Sequence, residues 1–320
     1  MSIRSDLKQL RNSDNKILNT VSNVLYKEYR KIYKSKFIYW CRFKPYMDDE
    51  KYIKFVYKKR FGVEPNLTNP QNFNEKNNWR KLHDRRDVYT QMVDKFQFKS
   101  YVERTAGPGH TIPLLGVWNS PKEINYEILP DQFVLKANHD GGVIVCRDKS
   151  NFDRDKAAKE LTVALREDYF SQSREWPYKN VRRKVICEKY MGENLTDYKN
   201  YCFNGRLEYT FVWKNVSRED GRKPEPYFCG AYDRNWQRTD ITLDYASLDE
   251  NVSRPTGYEE MVELAEKLSK GIPFVRSDFY IIDGKPYAGE MTFFPWGGFL
   301  KISDEWNKKL GEMEKLPNCK

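Results

Sequence analysis

One stretch of the sequence decides the fold: Phe274-Val275-Arg276-Ser277-Asp278-Phe279-Tyr280-Ile281-Ile282. Polar and apolar residues alternate along it, which is the two-residue period of a β-strand with two different faces. One face carries Arg276, Asp278 and Tyr280, and the apolar residues Val275, Phe279 and Ile281 lie on the other face. The segment therefore predicts a half-buried strand with a charged polar face.

A second strand is predicted from Pro286 to Thr292, after a turn at Asp283-Gly284. A two-residue turn would send Glu290 to the opposite face from Asp278. A three-residue loop that ends at Gly284 in the left-handed conformation would place Arg276 across from Glu290. Because the longer loop also gathers the apolar residues on one side, the sequence predicts the three-residue loop.

The polar face of this ribbon has the chemistry of a magnesium–nucleotide site. Mg²⁺ prefers oxygen ligands, commonly one or two carboxylates together with phosphate oxygens and water. Asp278 and Glu290 supply carboxylates, and Arg276 beside them can stabilise charge on a transferring phosphoryl group. The alternative is a cross-strand salt bridge on an exposed face of the sheet.

A second polar signal follows the predicted strand from Gln132 to Asn138. Lys136 lies near its end, and the Gly-rich loop His139-Asp140-Gly141-Gly142 comes next. A lysine and the backbone N–H groups of such a loop can hold phosphates. The alternative is a Gly-Gly hairpin beside a surface lysine, and His139 is more typical of a structural residue.

The remaining pattern predicts α+β lobes with a cleft between them. Helices are expected over residues 87–107, 157–165 and 261–268, a strand over 184–190, and a ribbon that turns at Asn204-Gly205. Asp153-Arg154-Asp155 resembles a glycosyltransferase metal motif, but its place before an amphipathic helix favours helix capping.

Composition narrows the class of protein. The 320 residues carry a net charge of +10, and residues 1–100 hold 23 Lys and Arg against 11 Asp and Glu. Residues 1 to about 60 are predicted to be helical, because Ile17, Leu18, Val21, Val24 and Leu25 lie at helical spacing. The positive charge of this region predicts contact with an anionic partner or a membrane surface, and ordinary solvated helices are the alternative. No apolar run is long enough for a membrane span, and no signal peptide is recognised.

The sequence lacks the common signatures of zinc, nucleotide and serine-hydrolase sites. The six cysteines form no C-x-x-C pair, which favours free thiols in a reducing cytoplasm over a disulfide framework or a zinc site. The sequence contains no G-x-x-x-x-G-K-[ST], no G-x-G-x-x-G and no G-x-S-x-G. Any nucleotide site in this chain must therefore be built in another way.

Taken in order, these segments resemble the ATP-grasp superfamily, which includes D-alanine–D-alanine ligase. The resemblance implies an ATP-grasp fold, in which two α+β lobes grip ATP. It implies ATP-binding roles for Lys95, Lys136, His139, Asp140, Gly141, Gly142, Glu188, Lys189 and Met191, with Glu193 or Asp197 at the ribose. It also implies Mg²⁺ ligands at Asp278, Glu290 and Thr292, and catalytic roles for Arg276 and Lys199.

The chain is more closely similar to the teichuronopeptide-biosynthesis branch of this superfamily, over residues of about 60 to 310. The likeness is carried by Phe73-Asn74-Glu75-Lys76, Leu129 to Lys136, Arg174-Glu175-Trp176, Asp197-Tyr198-Lys199, Phe203-Asn204-Gly205 and Gly289 to Phe293. Two positions depart from the superfamily pattern. Asp140 replaces a small residue and adds negative charge near the phosphates, and Thr292 replaces an Asn metal ligand.

The resemblance implies an ATP-dependent ligase that joins a uronic-acid or other acidic carboxylate to an amino acid or related amine. The expected domains are a basic helical region (1–85), a small lobe (86–190) and a large lobe (191–320). The expected location is the cytoplasm or the inner face of the membrane, with no nucleic-acid partner. A glycosyltransferase and a non-catalytic binder of an anionic polymer remain as alternatives.

Overall fold

The computed structural model describes residues 47–139, 141–193, 195–214, 228–243, 246–247 and 251–317. Nearly all of them belong to one compact unit, Asp49–Lys320. The predicted basic helices before residue 47 and the predicted phosphate contact at Asp140 lie outside the described residues. No helix among the described residues is long and apolar enough to cross a membrane.

The described chain forms helices and strands in the following order. They are α1 Asp49–Phe61, α2 Phe73–His83, α3 Val88–Val93, α4 Lys95–Ala106, β1 Leu114–Trp118, β2 Phe133–Ala137, β3 Ile144–Cys146, α5 Arg154–Ala164, α6 Tyr169–Ser173, β4 Val185–Lys189, β5 Asp197–Phe203, β6 Arg206–Lys214, β7 Phe228–Asp233, β8 Ala246–Ser247, α7 Tyr258–Ser269, β9 Phe274–Ile282, β10 Lys285–Thr292 and α8 Asp304–Met313.

The smaller sheet has the strand order β1-β4-β2-β3, and its strands are antiparallel. Alternation along β2 buries Phe133 and Leu135 on one face, where they pack with Leu161 of α5. The opposite face carries Lys136 and Glu188. The two predicted strands and the predicted helix of this region are confirmed.

Asp153 opens helix α5 as an N-cap. Its carboxylate accepts a hydrogen bond from the backbone N–H of Lys156, at 2.9 Å. The capping interpretation of Asp153-Arg154-Asp155 is therefore confirmed, and the glycosyltransferase alternative loses the motif that suggested it.

The larger sheet has the strand order β10-β9-β5-β6-β7-β8 and is antiparallel except for the β7–β8 pair. Helix α7 covers one face, where Met261, Leu264 and Leu268 join the main core with Val275 and Phe279. The other face carries the charged residues of β5, β9 and β10. The predicted ribbons at Asn204-Gly205 and Asp283-Gly284 are both present.

The predicted three-residue loop of the C-terminal ribbon is wrong. Ile282 pairs with Lys285, so the turn has two residues, Asp283 at φ 52° and Gly284 at φ 77°. Positive φ at both positions is the type I′ geometry, which matches the natural twist of paired strands.

A bulge supplies the extra residue that the turn does not. Ala288 pairs with Phe279, but the next pair is Glu290 with Asp278, and Gly289 is left over. The bulge returns Glu290 to the face of Asp278. The predicted pairing of Arg276 with Glu290 is also wrong, because Thr292 lies across from Arg276.

Residues 49–85 pack within the same compact unit as the two sheets. Helix α2 begins with a capping box between Asn72 and Glu75, and the Phe73 ring lies 4.8 Å from that of Phe274. Later in α2, the buried Arg80 pairs with the buried Glu314, with Nη1 3.1 Å from Oε1. This segment therefore braces the large sheet.

The helix predicted over residues 87–107 is two helices, α3 and α4, separated at Asp94. The Asp94 side chain caps α4 by accepting from Phe96 N at 2.9 Å, and it also accepts from Asn138 Nδ2 at 2.7 Å. The break ties the start of α4 to the end of β2. As a result, Lys95 is the first residue of a helix that begins beside the Gly-rich loop.

Candidate active site

Three neighbouring strands of the large sheet bring a row of charged side chains together. The register pairs Lys199 of β5 with Asp278 of β9, and Asp278 with Glu290 of β10. Lys199 Nζ lies 2.7 Å from Asp278 Oδ2 and 2.7 Å from Asp197 Oδ2. Two predicted metal ligands and the predicted catalytic lysine thus share one face.

Arg276 links the two carboxylates of the ribbon. Its Nε and Nη2 donate to Asp278 at 2.7 and 2.6 Å, and Nη2 lies 3.3 Å from Glu290 Oε1. Both carboxylates are therefore within reach of a single nitrogen atom. A small cation in the same place could be reached by both.

The two carboxylates have opposite pKa shifts. Burial raises the pKa of Asp278, and the opposing effects of Arg276 and Lys199 do not fully offset it. Burial also acts to raise the pKa of Glu290, but Lys95 and Arg276 outweigh it and hold that pKa far below the ordinary range. Glu290 is therefore the firmly ionised carboxylate of the pair.

Lys95 extends the row from the ribbon to helix α4. Its Nζ lies 3.0 Å from Glu290 Oε2, and the Glu290 side chain is 31% exposed, so this end of the row is open to a ligand. The Lys95 backbone N–H donates to Asn138 O at 2.9 Å. The predicted first ATP lysine and a predicted metal ligand are therefore in direct contact.

A second cluster lies on the small sheet. The two oxygens of Glu188 each bind one lysine, with Lys136 Nζ at 2.5 Å and Lys99 Nζ at 2.5 Å. Burial acts to raise the pKa of Glu188, but both lysines outweigh it and lower that pKa. The Glu188 carboxylate thus joins two lysines, one from helix α4 and one from strand β2.

Lys99 was missed by the sequence analysis. It lies one helical turn after Lys95 on α4, and it also donates to Ile112 O at 2.6 Å. The i, i+4 spacing of the two lysines is a signal that could have identified it, because residues four apart lie on the same side of a helix.

The Gly-rich loop starts from a buried residue. His139 is 4% exposed, and its Nε2 lies 3.1 Å from Glu167 O. Gly141 and Gly142 are exposed. The structural interpretation of His139 fits this burial, and the backbone of the two glycines is open to solvent.

The end of β4 and the segment that follows it carry the other predicted nucleotide-binding residues. The Lys189 side chain is exposed, and its backbone N–H donates to Pro113 O at 3.0 Å. Glu193 pairs with Arg147, and hydrogen bonds from Arg147 and Tyr190 lower the pKa of Glu193 to about 2. Of the two ribose candidates, Glu193 lies beside this segment, and Asp197 lies in the Lys199 cluster.

The ribbon fits a magnesium ion by its donor chemistry. Asp278 and Glu290 present facing carboxylate oxygens, and the half-buried Thr292 lies one register step away on the same face. Among the residues that the structure describes, no three His, Cys, Asp or Glu side chains converge as a metal site. Two carboxylates completed by phosphate oxygens and water match the usual coordination of Mg²⁺.

Several solved structures are similar to this chain. D-alanine–D-alanine ligase from Bacillus anthracis is 17% identical, with a TM-score of 0.37, 63% of this chain covered and 57% of that chain. Phosphoribosylamine–glycine ligase from Thermotoga maritima is 15% identical, with a TM-score of 0.40 and coverage of 64% and 48%.

A third similar structure is the biotin carboxylase–βγ-ATP complex from Campylobacter jejuni, at 16% identity and a TM-score of 0.40. It covers 72% of this chain and 48% of its own. The chain thus spans about half the length of these three proteins. No curated protein matches the sequence at a significant level.

The family comparison covers most of the chain. The model of the family described as TupA-like ATPgrasp matches residues 75–315, which include both sheets and every charged residue of the two clusters. Two largely antiparallel sheets with their helices are also the α+β architecture expected for this fold. The chain belongs to the TupA-like ATP-grasp family.

Proposed function

We propose that this chain is an ATP-dependent carboxylate–amine ligase that forms an amide through an acyl phosphate. One observation carries the proposal: Arg276 contacts both of two facing carboxylates, Asp278 and Glu290, while Lys199 contacts the first and Lys95 the second. Cations interleaved with two carboxylates suit a polyphosphate accompanied by a divalent ion.

The residues divide the work of binding. Lys95 and Lys136 would bind ATP phosphates, together with the backbone of Gly141 and Gly142, and the backbone from Lys189 to Met191 would read the adenine edge. Asp278 and Glu290, with Thr292 near them, would hold Mg²⁺, which neutralises charge on the phosphates when bound.

Arg276 would act on the phosphoryl group during its transfer. A substrate carboxylate oxygen attacks the γ-phosphorus, the bond to ADP breaks, and negative charge spreads over the phosphoryl oxygens. A guanidinium held rigidly by two carboxylates needs little reorganisation to stabilise that charge. Lys199, which donates to Asp278, would orient the incoming carboxylate.

The substrate class rests on the resemblance of the sequence to the teichuronopeptide-biosynthesis branch. We propose a uronic-acid carboxylate of a bacterial surface polysaccharide or its precursor as acceptor, and an amino acid or related amine as donor. The basic first third of the chain would attract the acidic acceptor or the inner face of the membrane.

The test is ADP release with a panel of amino acids and UDP-glucuronate or UDP-galacturonate as the carboxylate. Hydroxylamine in place of the amino acid traps an acyl phosphate as a hydroxamate. We expect ADP and amide in equal amounts with at least one pair, and hydroxamate with the same uronate. ADP release that ignores the carboxylate, or thermal stabilisation by UDP-sugars without any by ATP–Mg²⁺, would contradict the proposal.

A further inference from the structure

Glu175 is a buried carboxylate that the proposed ATP and metal sites do not use. It is 8% exposed, and its Oε1 accepts a hydrogen bond from Ser173 Oγ at 2.7 Å. The preceding residue, Arg174, ends helix α6 in the left-handed conformation at φ 58°. Such a backbone is unfavourable for a non-glycine residue, so the surrounding structure must impose it.

Arg174 anchors this segment to helix α1. Its side chain is 3% exposed, with Nε 3.0 Å from Asp49 Oδ1 and the guanidinium 4.2 Å from the Tyr52 ring centre. The anchor fixes the backbone at Arg174. The next residue, Glu175, is therefore held in one direction.

The loop after β10 brings the metal ribbon to Glu175. Trp296, Gly297 and Gly298 have φ of 53°, 64° and 76°. A Cβ added to Gly297 would lie 3.0 Å from Ser173 Cβ and 3.7 Å from Glu175 Oε1. The backbone that leaves Glu290 and Thr292 thus passes directly against this carboxylate.

Lys81 holds the same loop from the opposite side. This lysine is fully buried, and its ammonium donates to the Gly297 carbonyl and to Asn78 Oδ1, the latter at 2.9 Å. It also lies 4.3 Å from the Phe299 ring centre. Lys81 is therefore a positioning residue for the loop.

The charged and titratable groups that act on Glu175 come from three elements. They are Lys81 of α2, Arg276 of β9 and the Tyr178 hydroxyl of the turn that follows. Burial raises the pKa of Glu175, and the Ser173 hydrogen bond, Lys81 and Arg276 oppose the rise. Burial raises the pKa of Tyr178, and the charges of Glu175 and Glu290 raise it further, so both carboxylates act on this hydroxyl.

We propose that Glu175 receives the amine substrate, binding its ammonium group and removing a proton from it. This inference rests on the proposed function, because it supplies the second half of the same reaction. A buried carboxylate that packs against the loop leaving the metal ribbon, and that feels the charge of Arg276, is suited to a cationic co-substrate.

The proposed step balances. Glu175 takes one proton from the ammonium, and the free amine attacks the carbonyl carbon of the acyl phosphate. A C–N bond forms, and the C–O bond to the phosphate breaks. The departing phosphate takes the second proton from nitrogen and leaves as hydrogen phosphate, and Glu175 returns its proton to solvent.

The test measures product formation by the wild type and by Glu175→Gln with two nucleophiles, an amino acid and hydroxylamine. The uronate and the amino acid are those that give the most ADP in the panel above. An amino acid arrives protonated, whereas hydroxylamine is largely unprotonated at neutral pH and needs no base. General-base loss should lower amide formation by about 100-fold or more, with hydroxamate formation within about threefold of wild type. The wild-type amide rate should fall in acid as Glu175 is protonated, and this fall should be absent in the variant.

Glu167→Gln is the matched control, since Glu167 is half-buried in the same region and bonds Gln172 Nε2 at 2.8 Å. It should leave both products unchanged. Thermal stabilisation of the Glu175→Gln protein by ATP–Mg²⁺ would confirm that this variant is folded. If it does not fold, Glu175→Asp replaces it in the test and should keep part of the wild-type rate of amide formation. Equal loss of both products, or loss of neither, would overturn the inference. A wild-type protein that forms neither product would overturn the proposed function itself.

Discussion

At the scale of single residues, the carboxylates of the candidate site are all held by cations. Asp278 contacts Arg276 and Lys199, Glu290 contacts Lys95 and Arg276, and Glu188 contacts two lysines. Removing one member leaves an unbalanced buried charge, which costs about 3–5 kcal/mol when a buried pair is broken. Activity and stability must therefore both be measured on variants here.

The metal ligands give the first prediction. Asp278→Asn and Glu290→Gln should each lower ADP formation by at least about 100-fold, because a neutral amide is a poor substitute for an anionic oxygen ligand of Mg²⁺. Asp283→Asn is the control, since this exposed turn residue has φ 52° and asparagine tolerates that conformation. Steady-state ADP release and melting temperature check the three variants, and near-wild-type turnover by either ribbon variant would refute the metal assignment.

Lys81 gives a prediction about pH. Burial lowers its pKa to about 7, although Glu175 opposes the change. Between about pH 7 and pH 10 the unfolded chain therefore binds more protons than the folded chain, and this lysine makes stability rise with pH. Urea unfolding should show that the free energy of unfolding rises more steeply with pH in the wild type than in Lys81→Met. Lys122→Met, which changes an exposed lysine, is the control and should behave like the wild type. If the free energy of unfolding depends on pH in the same way in all three proteins, the lowered pKa of Lys81 is contradicted.

At the scale of elements, the C-terminal ribbon shows where sequence reasoning succeeds and where it fails. Alternation correctly predicts both strands and the charged face, and strand parity correctly requires one extra residue between Asp278 and Glu290. The sequence does not tell where that residue lies. A Cβ on Gly289 would lie 3.3 Å from Tyr280 Cε2 and 3.5 Å from Asp278 O, so the bulge is set by packing between strands.

The type I′ turn gives a prediction about stability. Gly284 has φ 77°, and an added Cβ would lie 3.2 Å from Thr256 Cγ2. Gly284→Ala should lower the free energy of unfolding by about 1 kcal/mol or more, because L residues are strained in this conformation. Gly271→Ala, at φ 74° with nothing within 4 Å, is the control for strain alone. Urea denaturation measures both, and an unchanged midpoint for Gly284→Ala would show that the turn does not need glycine.

At the scale of the whole molecule, the candidate site draws on residues from Lys95 to Thr292 within one compact unit. The order of short motifs was enough to predict the family and the α+β fold, since each motif keeps its local strand or helix pattern. Contacts between distant segments were not predictable in this way. The Lys99–Glu188 pair and the approach of Gly297 to Glu175 depend on how the elements pack.

The basic N-terminal region gives a prediction at this scale. Residues 1–40 hold 9 Lys and Arg against 3 Asp and Glu, and the unit with the candidate site begins at Asp49. Deleting residues 1–40 should leave ATP affinity unchanged and raise KM for a uronate acceptor by about tenfold at low salt, through lost electrostatic attraction. The difference should shrink as salt rises. ATP titration, together with acceptor kinetics at two salt concentrations, tests this prediction. An acceptor KM that is unchanged by the deletion and by salt would leave the region without a binding role.

Helix α4 has a geometric consequence for how such a chain can vary. Lys95 and Lys99 reach carboxylates on different sheets, Glu290 and Glu188. Each residue turns a helix by about 100°, so one inserted residue between the two lysines would swing them out of phase and leave one sheet out of reach. The helix therefore fixes the spacing between the two lysines by the number of residues that separate them. The four-residue step between these lysines is therefore fixed by the two carboxylates that they contact.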